Sequence, residues 1–597
     1  MRLLFLTHAF NSLAQRLWVE LTDDGHEVSI ELDVNDRVTE EAIASWQPDA
    51  IIAPFLKRRI PESVWRRHRC LVVHPGIVGD RGPSALDWAI ADGEPDWGVT
   101  VLEANGEMDA GAVYASVAFP LRAATKSSLY RNEVTEAAVV AVKRALACIE
   151  RGEPARPQDP SRQGVRGRLR PMMTQHDRAL DWRRHDTATV LRQLRAADGF
   201  PGVREEILGV DVFLYDGHEE GVLRGEPGAV IAQRDGAICR ATADGAVWIT
   251  HLKAAGDGDR AFKLPAAMVL GERIAGIPES PLAPDEAVAH ATWRDIRYEE
   301  SNAVGWLHFP FHNGAMSTAQ CERLTAAYRH AAARPTRVIV LTGGADFWSN
   351  GIHLNLIEAD EHPAEESWRN INAIDDLVRE IVVTGRQLTI AALSGNAGAG
   401  GVFLALAADR VYGRDGVILN PHYKGMGNLY GSEYWTYLLP RRVAPAQARA
   451  ITDGRLPVGV RGAKATGLID DHFGSTRAAF IAEVGTRARA LAADPEFDAL
   501  LAAKAARRRA DEATKPLAAH RAEELQRMQL NFFGFDSSYH VARHHFVHKV
   551  AHSRTPSYLA RHRDPAVVGH VMAAPAAVRA ADRSICGIRP RAKRVTP

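Results

Sequence analysis

The chain has 597 residues, 46% of them hydrophobic and 24% charged, with 73 Lys+Arg set against 73 Asp+Glu. That length exceeds what one core supports, so several domains are expected, and the balanced charge provides no global field toward nucleic acid or a membrane. Five cysteines (Cys70, Cys148, Cys239, Cys321, Cys586) share no paired spacing, which predicts neither a disulfide framework nor a zinc cage and suits a reducing cytoplasm. Residues 1–10 form a short apolar run without a small-residue cleavage site, and no stretch of about 18 apolar residues follows anywhere, so a soluble, cytoplasmic chain is expected.

From the start the pattern runs strand (3–7), helix (12–21), strand (26–32), then short apolar runs at 50–54 and 70–73 separated by helical segments. Short strands alternating with helices predict an open α/β sheet with parallel strands. Neither the Gly-x-Gly-x-x-Gly fingerprint nor a Walker A loop accompanies it, so nucleotide binding is not expected. Residues 151–170, rich in Pro, Arg and Gly, read as a linker. A helix over 187–197 ends at Asp198-Gly-Phe-Pro-Gly202, and short alternating runs at 210–214, 228–233 and 246–252 then predict a small β-barrel-like (OB-like) module. A second boundary falls at 278–284. Strands near 295–298 and 304–309, a helix over 319–333 and the buried strand 338–342 open a third α/β segment, and 388–411 repeats strand, glycine-rich turn, helix, strand. Residues 477–515 are alanine-rich, charged and helical, with further helices to about 551. The expected domains are therefore 1–155, 171–275 and 285–560, with a solvated tail over 561–597.

Two constellations carry chemistry. In Leu71-Val-Val-His-Pro-Gly76, His74 lies at the end of a buried strand, where open sheets place their chemistry. Gly76, Gly79 and Gly82 let the backbone approach a ligand, and Asp109 sits in a second glycine-flanked turn after the strand 98–102. A histidine and a carboxylate on neighbouring loops can share proton transfer at a carbonyl centre. The second constellation is a pair of strand–glycine turn–helix units, 341–354 and 395–409. Two such helix-start amides would make an oxyanion hole if they converge on one point.

The block from His74 to Ser84, continued by Trp97-Gly-Val-Thr-Val101 and Met108-Asp-Ala-Gly111, resembles folate-dependent formyltransferases of the methionyl-tRNA formyltransferase type over roughly residues 1–270. The family's histidine falls on His74 and its aspartate on Asp109, while its asparagine falls on Val72 and its serine on Gly76. The resemblance implies 10-formyltetrahydrofolate as one-carbon donor, Asp109 managing the proton on N10, His74 stabilising the oxyanion, and Gly82 and Ser84 as further contacts to the donor. The later units resemble the enoyl-CoA hydratase/isomerase (crotonase) superfamily, with an α/β spiral and C-terminal helices. There the hole amides fall on Ile352 and Gly400. The two hydratase glutamates fall on Phe403 and His422, which excludes plain hydration. Tyr423 and Glu433 are the preferred functional pair in their place.

The fusion of these halves, with Trp348-Ser-Asn-Gly-Ile-His-Leu-Asn355 and Ser538-Tyr-His-Val-Ala-Arg543, resembles the HypX (HoxX) family of nickel–iron hydrogenase maturation proteins. The resemblance implies an enzyme that passes formyl from 10-formyltetrahydrofolate to coenzyme A and decarbonylates formyl-CoA to CO, with the hydrogenase maturation machinery as partner. The alternatives are an enzyme that stops at formyl-CoA or hydrolyses it, and an acyl-CoA-binding scaffold. An internal channel lined by Asn313 is expected between the sites, and Arg543 and Lys549 are candidate CoA contacts. His540, His544, His548 and His552 share a helix face, but no acidic or cysteine ligand is expected near them, so no metal site is expected.

Overall fold

The computed structural model describes residues 1–159, 161–256 and 261–566. In the N-terminal module six strands lie in the order Glu27–Leu32, Arg2–Thr7, Ala50–Ala53, Cys70–His74, Asp96–Glu103, Val113–Pro120. The first strand is buried from Leu3 to Leu6 because helices cover both faces. The expectation of parallel pairing holds only as far as Cys70–His74, since Asp96–Glu103 pairs antiparallel with both Cys70–His74 and Val113–Pro120. The loop joining Glu103 to Val113 is too short for a helical crossover, and a hairpin results.

The second module is a sheet ordered Val203–Ile207, Val210–Glu220, Ala246–Ala254, Ala237–Ala241, Val230–Arg234. Its outer strands do not meet along this order, so the barrel-like module is open. Helix Thr187–Ala197 packs Leu194 over Gly217, where an added Cβ would come within 2.6 Å of a leucine methyl. The third module carries two main sheets and a two-stranded ribbon that pairs Ala315–Met316 with Gly351–Ile352. The larger runs Arg297–Ser301, Val304–Phe309, Val338–Gly343, Leu388–Leu393, Arg410–Arg414, Asp471–Phe473, and the smaller joins Phe347–Ser349, Asn396–Gly398, Ile418–Asn420 and Val458–Gly459. Each turn of chain contributes one strand to each sheet, and the two glycine turns lie where it crosses between them. The helical stretch from Arg477 divides into Arg477–Ala492 and Phe497–Thr514, followed by Leu517–Phe533 and Ser538–Val547.

Two segments differ from expectation. The supposed linker is a strap: Arg156 exchanges backbone hydrogen bonds with Val113, and Arg81 accepts from the Arg170 amide while donating to the Arg168 carbonyl. The expected tail does not begin at 561, because its first residues pack on the N-terminal sheet. His562 is buried against Ser29 at 2.8 Å and Glu31 at 2.8 Å, and the Leu559 carbonyl accepts from the Ile30 amide at 3.1 Å. Glu31 is fully buried, so these contacts and Arg563 supply the partners that an acid inside a strand requires. The rest of that tail, with Cys586, lies outside the described residues. Among the described residues no helix is long and apolar enough to cross a membrane.

The N-terminal and third modules meet through charge. Arg16 bonds both Glu136 (3.0 Å) and the Gly416 carbonyl (2.8 Å), and Asp346 accepts from Ser128 (2.7 Å) and Asn132 (2.9 Å) and pairs with Arg131 (3.3 Å).

Candidate active sites

His74 is the last residue of its strand, buried, with Nε2 2.9 Å from Asp80 Oδ2 and Nδ1 3.6 Å from Asp109 Oδ1. Burial alone would lower its pKa; the hydrogen bond to Asp80 and the charges of Asp109 and Asp80 outweigh that and hold it above the ordinary histidine value. The imidazole is thus clamped between two carboxyls. Asp80 lies inside the motif that carries the formyltransferase resemblance, yet nothing in its spacing marks it as the partner of His74.

Gly76 explains one departure from the formyltransferase pattern. A Cβ there would sit 2.3 Å from His74 Nε2 and 2.5 Å from Asp80 Oδ2, so the His74–Asp80 bond occupies the room a serine would take. Asp109 adopts a left-handed backbone (φ 55°). It is fixed there by the Gly82 amide, which donates to Oδ2 at 3.1 Å, and by Gln158 Nε2, which donates to its carbonyl at 3.0 Å. Gln158 also accepts from the Gly79 amide at 3.1 Å, so one strap residue ties the His74 loop to the Asp109 loop. Sequence reasoning missed it because it lies in the segment read as a linker. Gly82 serves Asp109 by its amide. Ser84 is buried and its hydroxyl oxygen accepts from the Met173 amide at 3.1 Å, a clamp on the strap rather than a contact open to a donor.

In the third module Gly351 and the helix start at Gly400 come together: a Cβ on Gly351 would stand 3.3 Å from the Gly400 nitrogen. Ile352 follows Gly351 directly, so the two amide-bearing turns share one locus. Against it lies the Glu433 carboxyl, whose Oε1 is 1.9 Å from where a Gly400 Cβ would be; no side chain fits there. Tyr423 donates from its hydroxyl to Glu433 Oε2 at 2.6 Å, and Phe403 stacks on the Tyr423 ring at 5.3 Å. Glu433 and Tyr434 both take left-handed backbone, with φ of 59° and 56°. The turn is held by Asp375, which accepts from the Glu433 amide at 2.7 Å and the Ser432 hydroxyl at 2.8 Å. Glu524 holds the other side through the Thr436 amide at 2.8 Å.

Three carboxyls therefore share one buried pocket. Desolvation first, then the charge of Asp375, pushes Glu433 up to about 8. Desolvation does the same for Glu524, also to about 8, and lifts Asp375 to about 6. Burial and the charge of Glu433 raise the Tyr423 phenol well above its ordinary value. A carboxyl poised near neutrality at the Gly400 helix start can give or take a proton at a carbonyl held there.

The remaining expected residues separate. Asn313 lies at the module seam, where its side chain accepts from Arg131 at 3.3 Å and its carbonyl accepts from Asn350 at 2.8 Å. Arg543 is not free for a phosphate: it is buried, with Nε 2.7 Å from Glu358 Oε2, and a carboxylate already neutralises it. Glu358, far off in the sequence, also meets His544 (2.8 Å) and His548 (3.2 Å). Lys549 remains accessible, and its pKa is lowered by desolvation and by the charges of Lys57, Arg131 and Lys253, which gather around it from the other modules.

Family models match in the same order along the chain: formyl transferase over residues 27–146, the formyl transferase C-terminal domain over 172–259, and enoyl-CoA hydratase/isomerase over 299–550. The chain is 55% identical over 563 residues to the hydrogenase maturation factor HoxX of Bradyrhizobium diazoefficiens, covering 94% of this chain and 97% of that protein. Its fold is similar to the crystal structure of HypX from Aquifex aeolicus in complex with tetrahydrofolic acid, with a TM-score of 0.91 and 50% identity over 94% of this chain and 99% of that one. A methionyl-tRNA formyltransferase of Paraburkholderia phymatum is 27% identical over 192 residues, covering 32% of this chain and 58% of that protein.

Proposed function

The chain belongs to the HoxX/HypX hydrogenase maturation factors, and from that premise we propose that it makes carbon monoxide from a formyl group in two steps, with coenzyme A as carrier. In the first, the CoA thiol attacks the formyl carbon of 10-formyltetrahydrofolate. The S–C bond forms, the N10–C bond breaks, and the thiol proton passes by way of Asp109 to N10. Val72 offers no side-chain donor, so the developing oxyanion rests on His74, whose proton affinity Asp80 and Asp109 raise. The aspartates do not touch the carbonyl themselves. They set the proton affinity of the group that does.

In the second step, formyl-CoA places its carbonyl oxygen against the Ile352 and Gly400 amides. The formyl C–H proton goes to Glu433, the C–S bond breaks, CO leaves, and the thiolate regains a proton through the Tyr423–Glu433 pair. Coenzyme A is thus restored, and the net change is formyltetrahydrofolate to tetrahydrofolate and CO. Lys549, Lys57 and Lys253 form the cationic group suited to CoA phosphates. An internal passage past Asn313 and Arg131 carries the thioester between the sites, sheltered from water. The observation that carries this reading is the Glu433 carboxyl, paired with a phenol and lying directly on the Gly400 backbone, where a hydratase would need two carboxylates and a water.

The experiment is to give the purified chain formyltetrahydrofolate and CoA and trap the gas on a haem protein. CO with full recovery of CoA is expected. Formate as the only product would replace this reading with formyl-CoA hydrolysis.

A further inference from the structure

A group of ligating side chains lies apart from both sites. Asp216 and His251 come from neighbouring strands of the barrel-like module and His312 from the loop after Val304–Phe309 in the third module, and their candidate ligand atoms all lie within 4.8 Å of one another. We propose that Asp216, His251 and His312 bind one late first-row divalent cation, of the zinc or ferrous class, across the boundary between these two modules.

The spacing suits coordination. Two ligand atoms each about 2.0–2.1 Å from a zinc ion at a tetrahedral angle stand roughly 3.3 Å apart, and Asp216 Oδ2 is 3.3 Å from His312 Nδ1. The local hydrogen bonds prepare His251 as a ligand. The Thr250 hydroxyl has one proton, which it donates to Asp216 Oδ2 at 2.6 Å. Its oxygen must then accept from His251 Nδ1 at 2.7 Å, which fixes the tautomer and leaves the Nε2 lone pair open. The two imidazoles are stacked with centroids 4.1 Å apart. Asp216 has a left-handed backbone (φ 57°) inside its strand, an uncommon conformation for a residue with a side chain.

His218 also meets the cluster, at 3.1 Å from Asp216 Oδ1. Two imidazoles and one carboxylate with open positions select zinc or iron(II) over calcium or magnesium. The other histidine cluster, Glu358, His544 and His548, serves as the control. There Arg543 already occupies the carboxylate.

The test is to strip the full-length chain with chelator and titrate CoCl2, following visible absorption, with zinc and ferrous salts as competitors. One ion per chain is expected. Asp216→Asn and His312→Gln should abolish it, Thr250→Val should weaken it by roughly 10- to 100-fold, and the paired change His544→Gln, His548→Gln should leave it intact. Should the first variants fail to fold, crystals of the unaltered chain soaked in zinc should show an anomalous peak among Asp216, His251 and His312. Absence of bound cobalt, binding that survives both Asp216→Asn and His312→Gln, or a peak at Glu358 alone would overturn the proposal.

Discussion

The two candidate active sites use the same functional groups in opposite ways. Around His74 two carboxyls face one imidazole, and their charge raises its pKa against the pull of burial. Around Glu433 the neighbours are other acids and a phenol, and burial lifts the carboxyl itself to about 8. A carboxyl's neighbours, more than its identity, decide whether it stabilises charge or carries a proton. The first site suits a step in which negative charge builds on oxygen; the second suits one in which a C–H proton must leave and return to sulfur.

That contrast breaks most sharply at Glu433. Glu433→Gln keeps the shape but not the proton transfer, so CO formation should fall about a thousandfold while formyl-CoA accumulates, measured by gas trapping and thioester chromatography. Tyr423→Phe should act in the same direction and less strongly. At the first site Asp109→Asn should slow formyl transfer to CoA by about a hundredfold or more and leave breakdown of added formyl-CoA untouched. Equal losses of both steps in either variant would mean that the sites are not separate.

Gly76→Ser, which supplies the residue of ordinary formyltransferases, should displace His74 from Asp80 and lower the imidazole pKa. NMR titration of His74 would read this directly, with formyl transfer failing at lower pH than in the unaltered chain. The pH dependence of stability sharpens the comparison further. Between the ordinary glutamate value of 4.5 and about 8, the folded chain keeps a proton at Glu433 that the unfolded chain has released. Stability should therefore decline as pH rises through that window, and Glu433→Gln should flatten the decline in denaturant titrations. The smallest effect is expected at Arg543: Arg543→Ala should cost about 1–3 kcal/mol in folding and leave CoA affinity unchanged, whereas Lys549→Ala should weaken CoA.

Much of this plan is legible in the chain itself, where the chemistry is local. His74 and Gly76 to Gly82 sit on one strand end and its loop, and Tyr423 and Glu433 lie within one short segment. What escaped is non-local. Asp375 and Glu524 reach Glu433 from separate helices, and Gln158 crosses to Asp109 from a stretch whose composition imitates a linker. His562 docks on Ser29 from the far end of the chain. Asp216, His251 and His312 meet only after two modules pack, and no periodicity announces such a meeting. The antiparallel strands after His74 were hidden for another reason, since apolar runs give strand position without direction.

The most direct test follows a labelled formyl carbon from formyltetrahydrofolate through the purified chain with CoA present and absent. The account predicts labelled CO only when CoA is supplied, and labelled formyl-CoA in its place for Glu433→Gln. Labelled CO formed without CoA, or at the unaltered rate by Glu433→Gln, would contradict it.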